Sequence, residues 1–409
     1  MFSNKTLTLF MAALSSIALP LAACSPGSSE QASTTSSSEQ PGAQSSSEQA
    51  QEQDAPQARV AVATEDGITI FDGNLQQLAS FDLPARPTLS TLGDHRHIAA
   101  VLTKNNAVEI IDAGSWSVPH GDHSHYYTTE PSKAQQALEG AKPIHVVSNA
   151  NAGTSAIFFD DDAEGRVLDA EKLEHGQLDA AQRIKAKEAH HGVVVPLAND
   201  QMLVSQKGAR LADTITLLDA DGETIGTFDC SEMHGEDVHA NNAIFGCSDG
   251  VLEIQDGKPT MIPAPDASGE RVGAITFNHD ASAALGDWGE ESLLLIREHQ
   301  AKVVPTPAAF GNRISLPEGG FAYLDTEGVL HILDDQAVEQ RSIPVMGAWT
   351  KPKGHGGVAP GIAAGENGED TLVWVSDPKS NTLYQVNLSD DSITHTDVEG
   401  APASLAAVG

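Results

Sequence analysis

Basic residues are scarce in this chain. Lys+Arg 23 against Asp+Glu 57 gives 409 residues a formal net charge of −34. A nucleic-acid binder needs a basic footprint to replace phosphate counterions, so that partner class is excluded. Only 20% of residues are charged and 40% are hydrophobic, so the acidity reflects missing Lys and Arg more than an excess of carboxylates. The apolar content also excludes collagen-like and wholly disordered classes. No Gly-rich phosphate loop, HExxH pair or Gly-x-Ser-x-Gly elbow occurs, and no serine has a recognisable activating context. Nucleotide binding and the common zincin and α/β-hydrolase chemistries therefore have no support. Against Cys 3 and 5% aromatics, the outlier is His 16.

The N-terminus reads as an address. Lys5 precedes an apolar stretch from Leu7 to Leu21, followed by Leu21-Ala-Ala-Cys24. A basic residue, a short apolar region and small residues before a cut site make a secretory signal over residues 1–23. The apolar run is short for a membrane span of about 20 residues. The cysteine after Leu-Ala-Ala resembles a bacterial lipobox, which makes Cys24 the lipidation site of an extracytoplasmic, membrane-anchored lipoprotein. From Ser25 to Gln57 the chain is Ser, Gln, Glu, Ala and Thr without Lys, Arg, His or aromatics, and it predicts a disordered tether over residues 24–57. Export leaves Cys230 and Cys247 as an even pair in an oxidising compartment. A disulfide there would contribute on the order of 3 kcal/mol. Two thiolate metal ligands are the competing reading.

Beyond the tether the sequence repeats a rhythm of alternation, turn and alternation. Arg59 to Phe71 places an Asp-Gly turn between two alternating runs, and Ile244 to Ile254 and Gly320 to Leu333 repeat the pattern. Looser copies span Ile98–Ile111, Ala156–Leu168, Met202–Leu218, Ala283–Ile296 and Thr371–Val386. A period of about 40 to 50 residues points to an all-β fold, a single β-propeller over residues 58–409. Seven or eight blades fit the count, and eight is favoured over seven. Ala403 to Val408 reads as a lone strand that completes the blade begun by Val60 to Leu83. Ser132–Leu138 and Asp169–Ala189 read as helical insertions, and a pair of β-sandwiches is the alternative architecture. A propeller brings distant residues together at its axis, so scattered histidines can share one site.

The densest constellation is His120-Gly-Asp-His-Ser-His-Tyr-Tyr127. His123 and His125 are two apart, so an extended segment projects both imidazoles from one face, as two ligands of one Zn²⁺ require. Asp122 supplies an oxygen ligand or fixes an imidazole tautomer, and His120 adds a further candidate. His190-His191 precedes an apolar run, Val193–Leu197; neighbours on a strand face opposite ways, which selects one of the two, His191 in preference to His190. His234-Gly-Glu-Asp-Val-His239 lies just after Cys230, offering His234, with Glu236 and His239 as weaker candidates. His355 reads as a turn residue. His95, His97, His145, His175, His279, His299, His331 and His395 have no supporting neighbours and read as core or surface histidines. The acidic run Asp160 to Glu171 approaches an EF-hand loop, but a strand precedes it, so it reads as a solvated turn.

These motifs, with Cys230-Ser-Glu-Met-His-Gly-Glu236 and Phe245-Gly-Cys-Ser-Asp-Gly-Val251, make the chain resemble the AztD-type zinc metallochaperones. The resemblance implies an extracytoplasmic propeller that holds Zn²⁺ and passes it to the solute-binding protein of a zinc ABC transporter. It implies His123, His125, His191 (or His190) and His234 as ligands, with Asp122 nearby. Some family members carry histidines in an N-terminal segment; Ser25 to Gln57 here has none. A monomeric carrier without enzymatic activity is expected. The competing classes are a metal-dependent propeller hydrolase or lactonase, and a metal-free interaction scaffold.

Overall fold

Short runs of alternating or β-branched residues become strands, and turn residues between them fold each run back on the last. The computed structural model describes residues 50–266, 268–352 and 357–409. Residues 1–23, Cys24 with most of the tether, and His355 lie outside the described residues. Among those described, the strands make eight antiparallel blades, so the eight-bladed count is the observed one.

Blade 1 combines Arg59–Thr64, Gly67–Asp72 and Gln77–Asp82 with the C-terminal strand Leu405–Val408. The last strand pairs with the first of these, Arg59 opposite Val408 and Val62 opposite Leu405. It also reaches the next blade: Thr91 Oγ1 donates to the Ala407 carbonyl at 2.8 Å, and the Leu89 amide donates to Ser404 Oγ at 2.9 Å. This is the closure expected from the sequence, and it removes the free edge that an open ring would expose.

Each inner strand packs beside those of neighbouring blades, while outer strands face solvent. Arg59–Thr64 and His97–Leu102 are buried throughout, whereas Lys258–Pro263 is exposed at five of its six positions. The cores lie between blades, as where Val195, Leu203 and Ile215 meet Val238, Phe245 and Leu252. The repeated Asp-Gly has a structural cause. Gly67 and Gly250 begin the strand after a two-residue loop at φ of 147° and 151°. A Cβ at either would stand 2.1 Å from a carbonyl of the outer strand.

Three sequence expectations change. Ser132–Lys133 and Leu138–Glu139 are short strands pairing with Ala107–Asp112, not a helix, because the blade 2 edge takes their backbone groups. In 169–189 the helix covers only Ala170–Glu174, capped by the Asp169 side chain, with a 3₁₀ turn at Leu178–Ala180 and the blade 3 outer strand at Gln182–Lys185. The ordered body also starts before residue 58. Gln51–Gln53 is a strand on the edge of a hairpin, Ser115–His120 with His123–Thr128, inserted between the third and outer strands of blade 2.

Truncation after Pro402 removes the closing strand and uncovers the apolar edge of Arg59–Thr64. The truncated protein is expected to melt at a lower temperature and to self-associate, read by calorimetry and light scattering. An unchanged melting temperature would show that the closing strand contributes nothing to the ring.

Candidate metal centres

The candidate ligands fall into two clusters. Among the described residues, no hydrogen bond or ring contact joins His123 or His125 to His191 or His234. The first cluster sits on the inserted hairpin and the second where the inner strands of blades 3, 4 and 5 begin, Pro143–Asn149, Val194–Pro196 and Glu236–His239.

On the hairpin, period-two alternation puts one set of side chains on one face. His120 stands opposite His123, Val118 opposite His125 and Trp116 opposite Tyr127. The ring nitrogens of His120, His123 and His125 include one from each residue within 4.8 Å of the others. A tetrahedral zinc with metal–nitrogen bonds of about 2.0–2.1 Å separates two nitrogens by about 3.3–3.4 Å. His120 Nδ1 and His125 Nε2 are 3.4 Å apart. Glu52 accepts from His125 Nδ1 at 2.7 Å, which leaves the lone pair on Nε2. Asp122 Oδ1 is 3.2 Å from His123 Nδ1, so this fully exposed carboxylate serves the tautomer rather than the cluster itself. The hairpin is tied down by Arg96, whose guanidinium pairs with Asp112 and lies 3.8 Å over the Trp116 ring, which stacks on Tyr127. His120 and His123 are exposed, so a bound ion would be reachable from solvent.

The interior cluster is a chain of four side chains. Glu236 Oε1 accepts from His145 Nδ1 at 2.9 Å, and Asp160 Oδ2 accepts from His191 Nδ1 at 3.0 Å. Between them the two Nε2 atoms face each other at 3.0 Å. Burial opposes ionisation of both carboxylates, but the facing histidines, together with Lys142 at 3.2 Å from Asp160 Oδ2, prevail and hold each below its usual range. Ionised carboxylates only accept, so both histidines must donate through Nδ1. Two neutral rings would then present lone pair to lone pair, which requires a shared proton or a cation between them. Without metal the proton serves: burial disfavours charge on His145, yet Glu236 and Asp160 outweigh it and raise its pKa.

His234 borders this pair, with ring centroids 6.4 Å from His145 and 5.9 Å from His191. Its Nδ1 donates to the Gly273 carbonyl, so Nε2 is the metal-capable nitrogen. Burial lowers its pKa, which keeps the ring neutral as a ligand must be. Among the described residues Glu236 Oε2 and Asp160 Oδ1 are buried without a hydrogen-bond partner, an arrangement that favours a cation nearby. The chemistry is three imidazoles backed by two carboxylates, borderline-soft and suited to Zn²⁺, with Cu²⁺ as the stronger competitor on affinity alone.

Two members of this cluster, His145 and Asp160, escaped the sequence reading. By sequence His145 reads as a core or surface histidine and Asp160 as part of a solvated turn, whereas Asp160 is 1% exposed. A signal existed, since His145, His191 and His234 are 46 and 43 residues apart, the blade period. Other candidates lie elsewhere. His190 turns away, held by Ser205 Oγ and the Glu188 carbonyl, each at 2.9 Å. His239 ends the strand that Glu236 begins, and no described hydrogen bond or ring contact joins it to the cluster.

The Cys230–Cys247 disulfide spans this region, joining the outer strand of blade 4 to the second strand of blade 5, with Cα atoms 5.1 Å apart. Both cysteines are buried and paired, so neither is a thiolate ligand. Between them Gly235 takes φ 82°, and a Cβ there would stand 2.8 Å from Ala274 Cα. That close approach sets the bend carrying His234 and Glu236. Gly235→Ala is expected to weaken metal binding at the interior cluster while leaving hairpin binding intact, measured by zinc stoichiometry in this variant and in one lacking His123 and His125. Undiminished interior binding would show that the bend does not position the ligands.

No protein-family model matches the chain. Solved structures do match. A crystal structure of Citrobacter koseri AztD superposes with a TM-score of 0.77 at 21% identity, covering 87% of this chain and 98% of that one. A structure of apo AztD from the same organism gives the same score and identity, covering 87% and 99%. Dihydro-heme d1 dehydrogenase NirN matches at a TM-score of 0.58 and 12% identity, over 85% of this chain and 74% of the other. The chain has the β-propeller fold of the AztD structures over nearly their whole length.

Proposed function

We propose that this protein is an extracytoplasmic zinc metallochaperone that delivers Zn²⁺ to the solute-binding protein of a zinc ABC transporter. The observation that carries the reading is the exposed triad His120, His123 and His125, whose nitrogens converge within 4.8 Å at a surface an acceptor can reach. Three imidazoles leave one tetrahedral position for an incoming ligand, so the ion can pass by exchange inside a docked complex. The interior cluster of His145, His191 and His234 is the second zinc site, more enclosed and braced by the disulfide. The AztD-like fold, and the sequence motifs resembling zinc metallochaperones, support the assignment. The net charge of −34 raises the local concentration of cations.

Export is supported by the disulfide, which persists in oxidising compartments. Among the described residues no helix is long and apolar enough to cross a membrane. Attachment through a lipid on Cys24 belongs to this proposal. The protein acts as a monomeric carrier, and no catalytic residue is assigned.

Metal analysis of the purified protein is expected to give one zinc at each cluster. His123→Ala with His125→Ala removes the hairpin equivalent, and His145→Ala with His191→Ala removes the interior one. Zinc transfer to a candidate solute-binding protein, timed in the presence of a chelator, should outpace release to the chelator. Transfer no faster than that release would refute the chaperone role.

A further inference from the structure

The hairpin histidines are completed by a residue from outside the propeller. Gln51–Gln53 lies antiparallel to His123–Thr128, with Glu52 opposite Tyr127. Tyr127, His125 and His123 share one face of their strand by period-two alternation, and Glu52 joins that face. Its Oε1 accepts from His125 Nδ1 at 2.7 Å. Gln53 Nε2 donates to Thr128 Oγ1 at 2.9 Å, which fixes the register. A few residues on, the chain is pinned to the ring and to the base of the hairpin: the Gly368 amide donates to the Pro56 carbonyl and Ser115 Oγ to the Gln57 carbonyl.

This short strand has little of its own to hold it. It contains only three polar residues, two of them exposed, at the edge of a two-stranded hairpin. The Glu52 and His125 side chains are 59% and 35% exposed, and a hydrogen bond so open to water contributes little. A metal ion on His125 Nε2 changes that balance. Withdrawal of electron density from the ring strengthens the Nδ1–H bond to Glu52, and the carboxylate in turn raises the basicity of Nε2.

We propose that Glu52 is a positioning residue of the hairpin metal site, so that zinc binding at His120, His123 and His125 locks the N-terminal strand onto the hairpin. The coupling is reciprocal: whatever pulls residues 51–53 away weakens the hairpin site by the same factor that zinc strengthens the strand. The chain segment leading back to the N-terminus thereby becomes part of the release step. This inference rests on the hairpin being a zinc site.

The test uses a His145→Ala, His191→Ala background, so that only the hairpin equivalent is measured by competition with a chromophoric chelator. Glu52→Gln keeps the shape but removes the carboxylate, and is expected to lower zinc affinity about 10–100-fold. The melting temperature of the metal-free protein should not change. In the same background with Glu52 intact, zinc should increase hydrogen-exchange protection of amides 51–53, and Glu52→Gln should abolish that increase. Unaltered affinity in Glu52→Gln, or no zinc-dependent protection, overturns the coupling while leaving the hairpin site standing. If adding His123→Ala and His125→Ala leaves that zinc bound, the hairpin reading itself fails.

Discussion

The structure depends on one pairing between the two ends of the propeller. Leu405–Val408 hydrogen-bonds to Arg59–Thr64, and only with that strand in place does the first blade have four strands. Backbone amides and carbonyls at an open edge would otherwise need water or a stray strand. Closure also fixes the inner strands around the axis. That geometry makes neighbours of His145, His191 and His234, which the chain separates by a blade each. The interior cluster is thus a product of topology, since no local segment could assemble it.

The fold was legible because its signals are local. Alternation, Asp-Gly turns and a lone C-terminal apolar run each report on residues within a few positions of one another, and their period carries the architecture. The hairpin triad was visible for the same reason, since two strands and a tight turn hold all three histidines within six residues. The grouping of His123 and His125 with His191 and His234 was not a local inference, and the structure divides those four between two clusters. The first pair sits on an insertion beside blade 2, whereas the second pair lies just before the inner strands of blades 4 and 5. His145 lay hidden because its partners come from other blades. Asp160 was concealed by its company, since three consecutive aspartates resemble a solvated turn, yet the first of them closes a buried strand and faces His191.

The tether shows the opposite failure of local reasoning. Gln51-Glu-Gln53 has neither alternation nor apolar residues, so its sequence gives no reason to expect a strand. Pairing follows from the hairpin, whose outer edge offers unsatisfied backbone groups to the nearest chain. Within that strand Glu52 is not merely a solvated charge, since its carboxylate contacts an imidazole.

The Cys230–Cys247 bridge encloses the bend that carries His234 and Glu236. Thiols in a reducing cytosol remain separate. Under the proposed export, a newly made chain would lack this brace until it has left the cytosol. Oxidation then fixes the bend covalently, so the close approach of Gly235 to Ala274 is held by a bond only in an oxidising compartment.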